Sequence, residues 1–145
     1  MRALVQRVTG ASVRVEGHLV AQIGPGLLVL LGVTHRDSEA GARGLASKTA
    51  RLRILRDGDR DEAAAVELAA PVLVVSQFTL YADMTSGRRP SWKAAAPAAM
   101  AQPLVTAFCD QLRQLGVPVE TGVFGATMAV SSINDGPMTI WLDAN

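Results

Sequence analysis

Apolar and polar residues alternate through the first part of the chain, run unbroken in two short stretches, and recur at helical spacing in two longer ones. From Arg2 to Val8, Ala3, Val5 and Arg7 share one face of a predicted strand, with Leu4, Gln6 and Val8 on the other. Ser12 to Val15 alternates again. Gly17-His18 predicts a turn and Leu19 to Ile23 the returning arm of a hairpin. After a turn at Gly24-Pro25-Gly26, Leu27 to Val33 is apolar throughout and predicts a strand buried on both faces. Asp37 suits the cap of a helix whose inner face carries Ala42, Leu45, Ala46, Thr49 and Leu52. Arg53 to Leu55 returns to strand and Asp57 to Glu62 reads as a charged turn, while Ala63 to Ala70 fits no single element. A second buried strand, Val72 to Val75, runs on into Ser76-Gln77-Phe78-Thr79-Leu80-Tyr81, and Ala82 to Pro90 is a polar loop. Pro103 suits the first turn of a second helix, with Leu104, Val105, Phe108, Leu112 and Leu115 as its apolar stripe and Gly116 ending it. Val117 to Val123, Thr127 to Ser132 and Met138 to Leu142 predict closing strands.

Strands, two strand-and-helix units and strands again make a layered α/β domain with a mixed sheet and two main helices. The 145 residues suit one domain, 1–145, and an apolar share of 49% is enough for a core and favours an oligomer. Fourteen basic and 13 acidic residues nearly cancel, so contact with nucleic acid must come from a local patch. One cysteine, Cys109, forms no internal disulfide, and with His18 and His35 it makes no Cys/His zinc set. No apolar run approaches the ~18 residues of a membrane span, and no signal-like segment opens the chain, so the cytoplasm is the expected compartment.

Three segments could carry chemistry. Ser76 to Tyr81 turns polar where a buried strand ends, a place from which side chains reach a site. Period two would put Gln77, Thr79 and Tyr81 on one face. Ser76 and Thr79 could equally bond to backbone at the sheet's end. Asn134-Asp135-Gly136-Pro137-Met138-Thr139 demands a tight turn, functional or merely connecting. Gly87-Arg88-Arg89-Pro90-Ser91-Trp92-Lys93 groups three positive charges with an aromatic ring and could hold a phosphate backbone and stack a base, or lie solvated. Arg43, Lys48 and Arg51 could extend it. There is no G-x-S-x-G elbow, no Walker loop, and no histidine arranged with serine and carboxylate as a triad.

Ser76-Gln77-Phe78-Thr79-Leu80-Tyr81-Ala82-Asp83 and Asn134-Asp135-Gly136-Pro137-Met138-Thr139 resemble the two signature motifs of the bacterial D-aminoacyl-tRNA deacylases. Gln6-Arg7-Val8, Ile23 to Val33, Gly87 to Ser91 and Thr139 to Asp143 are similar to the same family in the same order, so the resemblance spans essentially the whole chain. It implies a homodimer of layered α/β/β domains with partly barrel-like sheets, acting on the 3′ end of aminoacyl-tRNA and removing D-amino acids or glycine without metal or cofactor. It further implies a cis Gly136-Pro137 pair that enters the partner's active site and rejects L-amino acids, with Arg7 holding that turn. Ser76, Gln77, Phe78 and Thr79 are the catalytic segment it implies, main-chain N–H groups of Phe78 and Thr79 serving the carbonyl oxygen. Thr79 lacks an activating base in the sequence, which favours help from the 2′-hydroxyl of the terminal adenosine. The chain departs from the family pattern at Glu62-Ala63-Ala64-Ala65, at Thr127, and at Trp92 where phenylalanine is usual.

Overall fold

Strand β1, Arg2–Val15, is the spine of the fold. The computed structural model describes residues 1–144, Asp61 by its backbone alone. Along one side β1 pairs antiparallel with β2 (His18–Ile23) and β3 (Gly26–Gly32), and along the other with β8 (Ala129–Asp143). β3 continues into a parallel ladder with β6 (Val72–Ser76) and then β7 (Val119–Thr121). Helix α1 (Glu39–Ala50), a separate hairpin of β4 (Arg53–Asp57) and β5 (Arg60–Ala64), and the short helix α2 (Ala65–Leu68) lie between β3 and β6 in the chain. Helix α3 (Ala98–Gln114) links β6 to β7 and packs against α1. This is the α/β layering with a mixed sheet that the pattern predicts, and the sheet is nearly barrel-like, as the resemblance implies.

The unbroken apolar runs of β3 and β6 follow from this topology. Leu27, Val29, Leu31, Val72 and Val74 face the helices, where they meet Leu45, Phe108 and Leu112. Leu28, Leu73 and Val75 face the opposite way, into a second cluster with Val8, Val13, Ala21 and Ile23. There β2 curls over towards β6 and β7. A strand walled on both faces has no use for alternation.

Several boundaries differ from the sequence reading. The first two predicted strands are one, because β1 passes through Thr9-Gly10 with shifts of register against β8 instead of a break. Glu16-Gly17 makes the hairpin turn, both with positive φ, and His18 already belongs to β2. The cap of α1 is Ser38, whose Oγ accepts from Gly41 N at 3.2 Å. Asp37 is occupied elsewhere: it accepts from Thr34 N at 2.7 Å and pairs with the Met1 ammonium. The charged stretch after Asp57 is the β4–β5 hairpin, tightest at Gly58. Helix α3 begins at Ala98, so Pro103 lies inside it and not in its first turn. The helix-favouring Ala98-Ala99-Met100-Ala101 extends it backwards, at the cost of the bond that Pro103 cannot give to Ala99. Val117 and Pro118 precede the strand that was expected to start at Val117.

Candidate active site

The segment after β6 is not strand. Gln77 N makes the last ladder bond, to Leu31 O at 2.8 Å, and Phe78–Tyr81 then winds into a single 3-10 turn. Period two therefore fails beyond Ser76, and Gln77, Thr79 and Tyr81 do not share a strand face. The turn has a chemical consequence. The turn's own bonds run from Leu80 N to Gln77 O and from Ala82 N to Thr79 O, so its first N–H groups, those of Phe78 and Thr79, have no carbonyl of the turn to bond to. The far end is fastened by Arg2, whose Nη1 donates to Leu80 O at 3.0 Å. The same guanidinium lies 4.4 Å from the centre of the Tyr81 ring and 5.4 Å from that of Trp141. Burial, with the nearby Asp37 charge, pushes the Tyr81 phenol up to about 12, against the pull of Arg2.

Ser76, Gln77 and Phe78 border a cavity of about 250 Å³ walled by Leu31, Val33, Ala101, Val105 and Phe124. Beyond Ser76, Val105 and Phe124 a second hollow of similar size opens towards Thr106, Thr121 and Arg113. Phe78 is 56% exposed at the mouth and meets Trp92 edge-on, ring centres 5.2 Å apart. Trp92 thus belongs to the same lip, which the sequence reading placed only in a basic loop. That loop is closed at its base by paired bonds between Asp83 and Ser91, both 2.9 Å. Hydrogen bonds from the N–H and hydroxyl of Thr85 hold the Asp83 carboxyl below the usual carboxylate range. Arg88, Arg89 and Lys93 are exposed on the loop, whereas Arg43 on α1 is taken up by Glu39 at 2.8 Å.

The Thr79 hydroxyl contacts the Gln77 side-chain amide, a partner that cannot take up its proton as an activating base would. The histidines are engaged or sited elsewhere: His35 Nε2 contacts Lys93 O at 3.0 Å, and His18 is exposed on β2. Cys109 is buried, and burial raises its thiol to about 11. Among the described residues no cluster of three His, Cys, Asp or Glu could hold a metal ion.

The second segment is a bulge in β8, not a turn between strands. Gln6 pairs with Thr139 and Val8 with Asn134, so Asp135 to Met138 stand opposite Arg7 alone. The Asn134 side chain closes the bulge at its base. Its Oδ1 accepts from Met138 N and its Nδ2 donates to Met138 O, both at 3.0 Å, as a strand neighbour would. Gly136 has φ of 130°, which favours glycine, and the Gly136-Pro137 bond is cis. Both residues are exposed. Arg7, only 3% exposed, reaches under them: Nε donates to Asp135 O at 3.0 Å and Nη1 to Ile54 O at 2.8 Å. A Cβ on Gly136 would sit 2.7 Å from Arg7 Nη2. Asn134 belongs to a motif visible in the sequence, whereas Arg2 and the Ile54 carbonyl were not singled out from it. Nothing in their spacing marks them, because each acts across strands that only the fold brings together.

The two segments do not meet within the chain. From β8 to β6 the order is β8, β1, β3, β6, which is three strand spacings of about 4.8 Å. Along the strands, the bulge lies level with Arg7 and Leu27, whereas Ser76 lies level with Leu31 and Ala3. β8 is also an edge strand, and it exposes Val130, Trp141 and, at 67%, Ile133.

The family described as D-Tyr-tRNA(Tyr) deacylase matches residues 4–143. A D-aminoacyl-tRNA deacylase of Kineococcus radiotolerans is 63% identical over 145 residues, covering 99% of this chain and 100% of its own length. One from Nocardia farcinica is 58% identical over 147 residues, again covering 99% and 100%. Among solved structures, a c-Myc DNA unwinding element binding protein is similar with a TM-score of 0.91 at 36% identity, covering 99% of this chain and 98% of that one.

Proposed function

Because the chain belongs to the D-aminoacyl-tRNA deacylase family, we propose that it hydrolyses the ester between tRNA and a D-amino acid or glycine, as a cytoplasmic homodimer. The observation that carries the finer reading is the separation of its two segments. Ser76 to Thr79 ends β6, while Gly136-Pro137 stands out from an open edge strand three strand spacings away. In a dimer the Gly136-Pro137 of one copy would stand at the Phe78–Tyr81 turn of the other, and the exposed β8 edge with Ile133 is surface for such a copy to cover. Unpaired strand edges with exposed apolar side chains favour such a partner.

In this reading the terminal adenosine seats in the apolar cavity beside Phe78, and Gln77 and Ser76 shape its rim. The ester carbonyl oxygen points at the N–H groups of Phe78 and Thr79. Water adds to the carbonyl carbon, the oxyanion is held by those donors, and the C–O bond to the ribose breaks. The proton of the water passes, by way of the adjacent 2′-hydroxyl, to the leaving 3′-oxygen, giving a free amino acid and tRNA. An aminoacyl ester is reactive enough that positioning and oxyanion stabilisation supply much of the acceleration. Exposed backbone of Gly136 and Pro137, braced by Arg7 and Asn134, walls off the side on which an L residue carries its side chain. Backbone braced from below cannot swing aside, so the wrong enantiomer is refused by clash, and glycine and D residues pass.

The test is hydrolysis of matched D- and L-aminoacyl-tRNA by the purified protein with a chelator present. Loss of the D ester with the L ester spared is the expected result, and equal rates on both would refute the wall. Mixed dimers check the crossing: a protomer altered at Gly136 and one altered at Phe78 should together restore one selective site. If they do not, the wall acts within its own chain.

A further inference from the structure

Arg7 is not the sole brace of the Gly136-Pro137 bulge. Asp135, immediately before it, lies between two guanidiniums carried by different elements. Its Oδ2 is 3.3 Å from Arg7 Nε on β1 and 3.0 Å from Arg56 Nε on β4. Arg7 approaches from the core and is buried, whereas Arg56 approaches from the solvent side with its side chain 48% exposed. The β4–β5 hairpin, which forms a sheet of its own, therefore meets the bulge twice: by the Ile54 carbonyl through Arg7, and by the Arg56 side chain through Asp135.

These contacts divide the restraint. Asn134 ties the base of the bulge to itself, and Arg7 fixes the Asp135 main-chain carbonyl. Arg56 adds a hold on the Asp135 side chain from the solvent side, opposite the approach of Arg7, so the carboxylate is gripped by two guanidiniums and a displacement of Asp135 must strain at least one of the charged contacts. We infer that Arg56 is a positioning residue for stereochemical selection, holding the Gly136 and Pro137 carbonyls in place through Asp135. This rests on the reading that the bulge is the selective wall.

The experiment measures kcat and KM on matched D- and L-aminoacyl-tRNA for Arg56→Ala, Arg56→Lys, Asp135→Asn and the double variant Arg56→Ala with Asp135→Asn. Gly136→Ala serves as a control on the wall itself, and urea unfolding accompanies each variant. Arg56→Ala should raise kcat on the L ester relative to the D ester by about fivefold, the scale of a partly exposed ion pair. Arg56→Lys should recover most of the selectivity. On the Asp135→Asn background, Arg56→Ala should change the ratio no further, since the two act as a unit. If Gly136→Ala alters the ratio while Arg56→Ala and Asp135→Asn leave it at the wild-type value, Arg56 has no such role and the wall stands. If Gly136→Ala leaves it unchanged as well, the wall itself is refuted and the inference falls with it. Should Arg56→Ala unfold early in urea, Arg56→Gln and Asp135→Asn carry the same comparison, and a wild-type ratio in both overturns the inference.

Discussion

Replacing Gly32 by alanine probes whether the Phe78–Tyr81 turn sets the rate. Gly32 ends β3 directly beneath that turn. A Cβ there would lie 3.0 Å from Gln77 O, 3.0 Å from Leu80 Cβ and 3.3 Å from Tyr81 Cδ2. Carbon atoms settle ~3.5–4.0 Å apart, so the turn must back away by roughly 0.5 Å. It is not free to do so, because Gln77 N is bonded to Leu31 O and Leu80 O is held by Arg2. Overpacking of this kind costs about 1–3 kcal/mol of stability. Misplacing a reacting group by ~1 Å can cost ~10²-fold in rate, so half that shift predicts roughly a tenfold loss in kcat. The fall should appear in kcat more than KM, because the cavity walls from β3 and α3 stay in place. Single-turnover deacylation of D-aminoacyl-tRNA reads the rate, and urea unfolding reads the stability. A destabilised variant with wild-type kcat would refute the argument that the Phe78 and Thr79 N–H groups must sit where they do.

Tyr81 is the one tyrosine of the chain, so the pH-dependent change in tyrosinate absorbance reports a single phenol. Its folded value of about 12 lies above the ordinary 10.0. Between these values the unfolded chain releases the proton and the folded one keeps it, so this group's contribution to stability is present below pH 10 and lost as pH rises towards 12. Tyr81→Phe should flatten that part of the urea-stability profile, and a phenol titrating near its ordinary value would remove the effect. Cys109, raised to about 11 by burial, should resist thiol reagents at neutral pH until urea unfolds the protein, and prompt labelling of the native state would contradict its placement. Arg88→Ala with Arg89→Ala should reduce the slope of log affinity for tRNA against log salt by about 1 to 2, with an unchanged slope counting against phosphate contacts on that loop.

The elements most legible in the sequence were those whose side chains do one thing. The runs Leu27 to Val33 and Val72 to Val75 are apolar because both faces are walled, and the inner faces of both long helices follow from their spacing. What escaped was set by partners distant in sequence. Asp37 has the chemistry of a cap but is taken by Thr34 and Met1, and so Ser38 does the capping. Phe78 to Tyr81 has strand-forming residues, yet it winds up because the ladder ends at Gln77 and Arg2 fastens Leu80. Asn134 to Met138 reads as a tight turn between two strands, but the Asn134 amide stands in for the missing strand neighbour and lets β8 continue through it. Both candidate segments were visible as motifs. Their distance apart in the fold was not, since no spacing along a chain reports which strands lie between two of its members.

The pairing of β1 with β8 joins Arg2 to Asp143 and runs almost the full length of both strands. The first strand of the chain thus waits for the last, and the longest ladder closes a loop of nearly the whole polypeptide. Contacts of such separation carry the largest loop-closure entropy and form late. During synthesis the helices, the β4–β5 hairpin and the parallel β3–β6 ladder can assemble while one edge of β1 stays bare, a surface prone to pairing with other chains. The same final strand carries Gly136 and Pro137. A chain that has not yet laid down β8 therefore owns a nearly finished Phe78–Tyr81 turn and no Gly136-Pro137 bulge, so of the two candidate segments the bulge is the later to be assembled.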